Sequence, residues 1–411
     1  MKVSLLPILN DSNIDVTQVS SQRQLSIAIS ALPGVDDRNG SLNLCLILDH
    51  SGSMSGRPLD MVKKAAVQLV DKLKAGDRLS VIVFNHEAKV LIPNQEVTNP
   101  TEIKKQINKL SASGGTAIDE GLKLGISEMA DGKKSRISQA FLLTDGENEH
   151  GDNQRCLKLA QLATEYNLTL HSLGFGDDWN RDILEKIADA GGGSLAYIER
   201  PEQAADEFNR VFSRIKSIAL TNAYLILSLM PKVRLADLKP IAQVAPDTIE
   251  LPLDKEGDNL VIRLGDLMTD MQRVILANLY IGQLPEGKQP IVSLQVRYND
   301  PIEGEGLLST PIIVEGNFTA SYQPSMNPQV QQYILALGKY RQTQLAELKL
   351  QQGDRSGAAT MLQTAAKTAL QMGDKNAATV LQTSATRLQS GQELSEADKK
   401  KTKIVSKTQL K

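Results

Sequence analysis

Apolar residues along this chain follow three rhythms in turn. Between residues 41 and 218, short continuous apolar runs alternate with stretches whose apolar positions return every three or four residues. The runs at 43–48, 79–84, 89–92, 137–144, 169–174 and 195–198 have the length of strands, and the uninterrupted ones suit strands covered on both faces. The stretches between them read as helices. Residues 58–74 put Leu59, Val62, Ala66, Leu69, Val70 and Leu73 on one face, and further helices are expected over 100–110, 118–129, 153–166, 180–190 and 201–218. This alternation predicts an α/β domain over 41–218, built on a doubly wound, mostly parallel sheet.

Both flanks of that domain follow a period of two. Residues 1–40 read as extended, with alternation in Gln24-Leu25-Ser26-Ile27-Ala28-Ile29. Residues 219–322 read as short strands at 223–229, 248–253, 259–264, 273–281, 291–298 and 307–314, punctuated by Pro, Gly and Asp. Evenly spaced short strands predict a β-sandwich. Forty residues are too few to bury a core alone, so residues 1–40 are expected to pair with 219–322, the α/β domain being inserted between them.

The third rhythm begins near Asn327, where long helical patterns take over within a segment of 323–390. Helices at 329–352, up to 372 and up to 389 are separated by Gly353-Asp354 and Gly373-Asp374, a recurrence at a spacing of twenty. Gly suits a left-handed helix end and Asp the cap of the next helix, so a small antiparallel helical bundle is expected. Residues 391–411 are polar and Lys-rich with a thin apolar component, and are expected to form a flexible basic tail.

Composition narrows the class. A chain of 411 residues with 41% hydrophobic residues should fold into two or three cored domains. Lys and Arg number 46 against 48 Asp and Glu, so neither a nucleic-acid footprint nor an acidic surface is indicated. Cys45 in a strand and Cys156 on a helix suit reduced core residues better than a disulfide framework. Residues 1–9 fail as a secretory signal and no run of about eighteen apolar residues occurs, so no membrane span and a cytoplasmic location are expected.

Candidate chemistry lies at three junctions: Asp49, Ser51 and Ser53 in LILDHSGSMSG, Thr116 in SGGTAID, and Asp145 in LLTDGEN. A parallel sheet lines such turns along its carboxyl edge, where ligands bind. Two carboxylates and three hydroxyls form a hard, all-oxygen donor set, which favours Mg²⁺, with Ca²⁺ and Mn²⁺ as the alternatives, over Zn²⁺ or Cu²⁺. Helix capping accounts for any one of these strings, since Asp and Ser are common caps, but not for all three at strand and helix junctions.

With these residues in place, 43 to about 217 resembles a von Willebrand factor type A domain with its metal-ion-dependent adhesion site. The resemblance implies that Asp49, Ser51, Ser53, Thr116 and Asp145 occupy the five metal-binding positions and that an acidic residue of a protein partner fills the open one. His50 falls at a variable position and is expected to face solvent. The resemblance also extends to bacterial intracellular proteins in which this domain is set into a β-sandwich, and to accessory subunits of AAA-type ATPases or chelatases.

Three function classes follow. The first is a metal-dependent protein-binding adaptor, the second a scaffold whose metal is only structural, and the third an enzyme. Enzyme motifs are lacking: there is no phosphate loop, no H-E-x-x-H and no G-x-S-x-G. Glu147 and Asp119 are the available bases, and both are equally explained as acids at a loop and a helix start. The adaptor is the favoured class. Thr402 and Thr408 in the tail offer phosphorylation sites for a partner with an Arg-lined phosphothreonine pocket.

Overall fold

The computed structural model describes residues 2–33, 40–133, 136–175, 181–198 and 201–407. Asn180, residues 34–39 and the chain beyond Lys407, including Thr408, lie outside the described residues. Two compact units are present: Gly34–Asn222 with Asn299–Glu305, and Met1–Pro33 with Ala223–Tyr298 and Gly306–Lys411.

The chain opens with β1 (Val3–Leu9), β2 (Asn13–Asp15) and β3 (Ser20–Ala31). The α/β unit follows, as β4 (Leu42–Asp49), α1 (Arg57–Lys72), β5 (Arg78–Phe84), β6 (Ala88–Glu96), α2 (Pro100–Asn108) and α3 (Ile118–Gly132). It continues with β7 (Ile137–Thr144), α4 (Asn153–Glu165), β8 (Leu168–Phe175), α5 (Arg181–Ala190), β9 (Gly192–Ile198) and α6 (Ala204–Lys216). Its sheet runs β6-β5-β4-β7-β8-β9. All neighbours are parallel except β5 and β6, which form a hairpin.

Strands β4, β7 and β8 are buried at every residue, as helices on both faces require of an apolar run. Chain order reverses about β4: β5 lies on one side of it and β7 on the other. That reversal opens a crevice at the carboxyl ends of β4 and β7. Below it, Ile47, Phe84, Ile118, Leu122, Met129 and Leu142 share one core with Cys45 and Cys156. Both cysteines are free, and burial pushes each thiol up to about 12.

The second unit continues through β10 (Ile218–Leu229), β11 (Val233–Leu235), β12 (Ile241–Ala245), β13 (Ile249–Glu250) and β14 (Asp254–Glu256). It ends its strands with β15 (Asn259–Met268), β16 (Arg273–Gly282), β17 (Gly287–Asp300), β18 (Gly304–Leu308) and β19 (Ile312–Thr319). They form two sheets, β1-β3-β16-β12-β13 and β14-β15-β10-β17-β19-β2. The N-terminal strands enter both. β3 pairs with β16 from Arg273 opposite Ile29 to Gly282 opposite Ser20, and β2 runs parallel to β19. Period-two burial is clearest in β17, where Val292, Leu294, Val296 and Tyr298 point inward.

Four helices follow: α7 (Pro328–Gln351), α8 (Arg355–Gln371), α9 (Lys375–Gln389) and α10 (Glu396–Ser406). Asp354 and Asp374 cap α8 and α9 by accepting from the Gly357 and Ala377 amides, each cap contributing about 1 kcal/mol. Gly353 and Gly373 turn with φ of 80° and 79°, a left-handed conformation in which a side chain would be strained. Ala358, Ala359, Leu362, Ala365, Ala366 and Ala369 meet Leu381, Ala385 and Leu388 in the bundle core. One face of α7 is used differently, with Val330 and Leu337 packed on Ala242, Val244, Val274 and Leu276 of the sandwich.

The tail expected to be flexible is corrected over its described part. Ser395 and Asp398 close a capping box that starts α10, and Lys400, Thr402, Val405 and Ser406 are buried. Thr402 is 6% exposed and shares a hydrogen bond of 2.9 Å with the Ser384 hydroxyl, so it is not offered to a modifying enzyme. The Val405 side chain joins the bundle core, and the buried Lys339 ammonium donates to the Val405 carbonyl at 2.8 Å and lies 3.4 Å from Asp374, the cap of α9. Among the described residues, no helix is long and apolar enough to cross a membrane.

Candidate metal centre

Strand β4 ends on Asp49, and the chain then turns through a short 3-10 segment, Gly52–Met54. Ser51 makes no side-chain cap there, and α1 is entered from Gly56, so capping does not account for the D-x-S-x-S string. The turn is tied down by backbone bonds. The Gly52 amide donates to Gly114 O at 2.8 Å, the Ser113 amide to His50 O at 2.8 Å, and the His50 amide to Phe84 O at 2.9 Å. A side chain at Gly52 would meet Gly114 O at 3.3 Å, and one at Gly114, where φ is +77°, would run into the His86 ring. The two loops approach this closely because both positions are glycine.

The third loop joins the second. Thr116 O accepts from the His150 amide at 2.9 Å, and the Asn148 side chain accepts from the Ile118 amide at 2.7 Å. A methyl group placed on Gly146 would lie 3.5 Å from the Thr116 hydroxyl and 3.8 Å from that of Ser53, so both hydroxyls come close to Gly146. Ser53 donates to Asp145 Oδ1 at 2.7 Å, and the Ser51 and Ser53 hydroxyls are 3.0 Å apart. Asp49 Oδ1 accepts from the Ser51 amide at 2.7 Å and Oδ2 from the Thr144 hydroxyl at 2.5 Å. All five oxygen-bearing side chains expected from the sequence are thus at one edge, around the chain reversal of the sheet.

Electrostatics fit a cation here. Asp49 is fully buried, and its carboxyl is pushed up to about 6, first by burial. Hydrogen bonds from Ser51 and Thr144 oppose the rise, and the charge of Asp145 adds to it. Two mutually repelling carboxylates and three hydroxyls, with no thiolate or imidazole among them, suit a hard divalent ion. No cluster of three or more His, Cys, Asp or Glu placed to hold a metal ion occurs among the described residues; the five side chains at this edge include two such groups, the other three being hydroxyls.

His50 differs from expectation. It is 8% exposed, its Nδ1 lies 3.0 Å from Ser111 O, and burial lowers its pKa. The turn after β4 folds in beside the 111–117 segment, and the ring follows it. Thr144 and Asn148 were not picked out from the sequence. Thr144 immediately precedes Asp145, the last residue of a buried strand, where a hydroxyl needs a buried acceptor. Asn148 carries no signal of its own.

Family models match this chain twice: the von Willebrand factor type A domain over residues 43–210, and the Sll0103-like C-terminal alpha-helical domain over 328–411. The uncharacterized protein sll0103 of Synechocystis sp. is 58% identical over 411 residues, spanning 100% of this chain and 98% of that protein. The chain belongs to this Sll0103-like family of von Willebrand factor type A domain proteins. Protein YfbK of Escherichia coli is 27% identical over 186 residues, and inter-alpha-trypsin inhibitor heavy chain H2 of Mus musculus 27% over 195. Each match takes in 44% of this chain, but only 32% and 20% of those longer proteins. Among solved structures, a von Willebrand factor type A protein from Catenulispora acidiphila superposes with a TM-score of 0.82 at 19% identity, over 100% of this chain and 98% of that one. The ArnB paralog VWA2 from Sulfolobus acidocaldarius gives 0.59 at 16%, over 99% and 97%. At such identities these two likenesses concern the fold alone.

Proposed function

We propose that this Sll0103-like protein is a metal-dependent protein-binding adaptor. Asp49, Ser51, Ser53, Thr116 and Asp145 hold a divalent ion, Mg²⁺ in first place and Ca²⁺ or Mn²⁺ as the other hard ions of that donor set, and a carboxylate of a protein partner completes its shell. The gathering of five oxygen donors from three loops at one sheet edge carries this reading. When bound, the ion supplies an open coordination position that selects an acidic side chain by charge and geometry together.

The chain's own residues arrange that position. Thr144 and the Ser51 amide orient Asp49, Ser53 ties the first loop to Asp145, and the two carboxylates leave a divalent ion neutralised with its shell unfilled. Catalysis is not part of the proposal. Asp119, which could have served as a base, is paired with Arg155 Nη1 at 2.8 Å and is 4% exposed at its side chain. Glu147 stands exposed on the third loop.

A peptide array tests the reading directly, with every Asp or Glu peptide printed beside its Asn or Gln counterpart. Full-length chain in Mg²⁺ should bind acidic members and ignore their amides. EDTA or Asp49→Ala should abolish that binding. Binding that survives both would leave any metal a structural staple and would refute the adaptor.

A further inference from the structure

Helix α3 begins without a cap of its own. Its N-cap residue is Ala117, which makes no side-chain bond, and α3 starts at Ile118, two residues after Thr116. The Ile118 amide is instead satisfied across space, by Asn148 Oδ1 at 2.7 Å. An amide in the first turn has no intrahelical acceptor, so the cap must come from another segment when the local residue is Ala. Asn148 belongs to the loop that carries Asp145, which also holds the Thr116 carbonyl through the His150 amide at 2.9 Å.

Four further contacts hold Asn148 and α3 in place. Asn148 Nδ2 donates to Asn153 Oδ1 at 3.1 Å and faces Cys156 Sγ at 3.6 Å, anchoring the side chain to the first turn of α4. Arg155, also on α4, grips Asp119 Oδ2 at 2.8 Å and Glu120 Oε1 at 2.5 Å on α3. Asp119 Oδ1 and Asn148 Oδ1 both lie against Gly151, where any side chain would collide with them. Asp119 Oδ1 is buried and accepts no hydrogen bond from the described residues, the carboxylate being held through Oδ2 by Arg155.

We propose, resting on the metal reading above, that Asn148 is a positioning residue that fixes the Thr116 hydroxyl against the Asp145 carboxylate and so makes the centre select Mg²⁺ over Ca²⁺. The reason is rigidity. Mg²⁺ demands near-ideal octahedral geometry at about 2.0–2.1 Å, whereas Ca²⁺ accepts flexible shells at about 2.3–2.6 Å. Freeing the start of α3 lets the Thr116 oxygen drift outward, which Ca²⁺ tolerates and Mg²⁺ does not. Groups that orient ligands in this way typically contribute about 10–100-fold to metal affinity.

The test is calorimetric titration of full-length chain with MgCl₂ and, separately, CaCl₂, for the wild type, Asn148→Ala and Asn148→Asp. Melting in EDTA and hydrogen exchange at the Ile118 amide supply the metal-free readouts. Asn148→Ala should lower Mg²⁺ affinity about 10–100-fold and Ca²⁺ affinity by less than about threefold, and should speed exchange at Ile118. Asn148→Asp keeps an acceptor for that amide but loses the Nδ2 donor to Asn153 Oδ1, so it should restore slow exchange at Ile118 and bring the Mg²⁺/Ca²⁺ ratio part of the way back. An unchanged ratio in Asn148→Ala overturns the inference, whether both affinities hold or both fall together through general destabilisation. A wild type that binds neither ion removes the metal reading and this inference with it, whereas a wild type that binds Mg²⁺ as tightly as Asn148→Ala removes only the inference.

Discussion

At Asp49 burial and charge are directly opposed, its carboxyl being pushed up to about 6 while the side chain is fully buried. Without a cation, the folded protein holds a proton there more tightly than the unfolded chain between about pH 4 and 6. Stability of the metal-free protein should therefore fall as pH rises through that window, and the deficit should persist above it. Asp49→Asn removes the deficit. In EDTA at pH 8 it should be more stable than wild type by on the order of 1–3 kcal/mol, and at pH 4 the gap should close. Urea denaturation of both proteins at the two pH values checks this, and a gap of the same size at both would contradict it. The five oxygen-bearing side chains could be picked out from the sequence because their residue types and short spacings are unusual together. The groups that arrange them could not. Thr144 and Asn148 act through bonds to Asp49 and to the Ile118 amide, partners far away in sequence.

At the scale of elements, strands and helices of the α/β unit were legible because burial on both faces leaves continuous apolar runs. The helix ends at Gly353 and Gly373 were legible from the turn chemistry they require. Helix α10 was not, since its buried face, Lys400, Thr402, Val405 and Ser406, holds one apolar residue and so has no apolar period to read. That surface makes a prediction. Thr402→Asp buries a charge beside Ser384 and should destabilise the bundle by about 2–4 kcal/mol. Thr402→Val leaves the Ser384 hydroxyl without this partner and should cost about 1 kcal/mol. Chemical denaturation followed by far-ultraviolet circular dichroism measures both, and a wild-type profile for Thr402→Asp would show that α10 does not pack on the bundle in solution.

For the whole molecule, the pairing of the N-terminal strands decides what can fold alone. The α/β sheet β6-β5-β4-β7-β8-β9 is built wholly from the inserted segment, so residues 41–218 should fold as a fragment. A fragment of 219–411 lacks β3, and β16 would then present its whole length as an open edge. It should aggregate, and covalently restoring residues 1–33 should recover monodisperse protein. Size-exclusion chromatography with light scattering reads the outcome, and a monodisperse 219–411 would mean the sandwich does not need its first strands. The central claim stands on the sheet edge, and anomalous scattering from crystals of the full chain grown in Mn²⁺ tests it most directly. The account predicts one strong peak surrounded by oxygens from Asp49, Ser51, Ser53, Thr116 and Asp145, each either bound directly at about 2–2.5 Å or linked by one ordered water, and no such peak in Asp49→Ala. No peak at that edge, or an unchanged one in the variant, would contradict it.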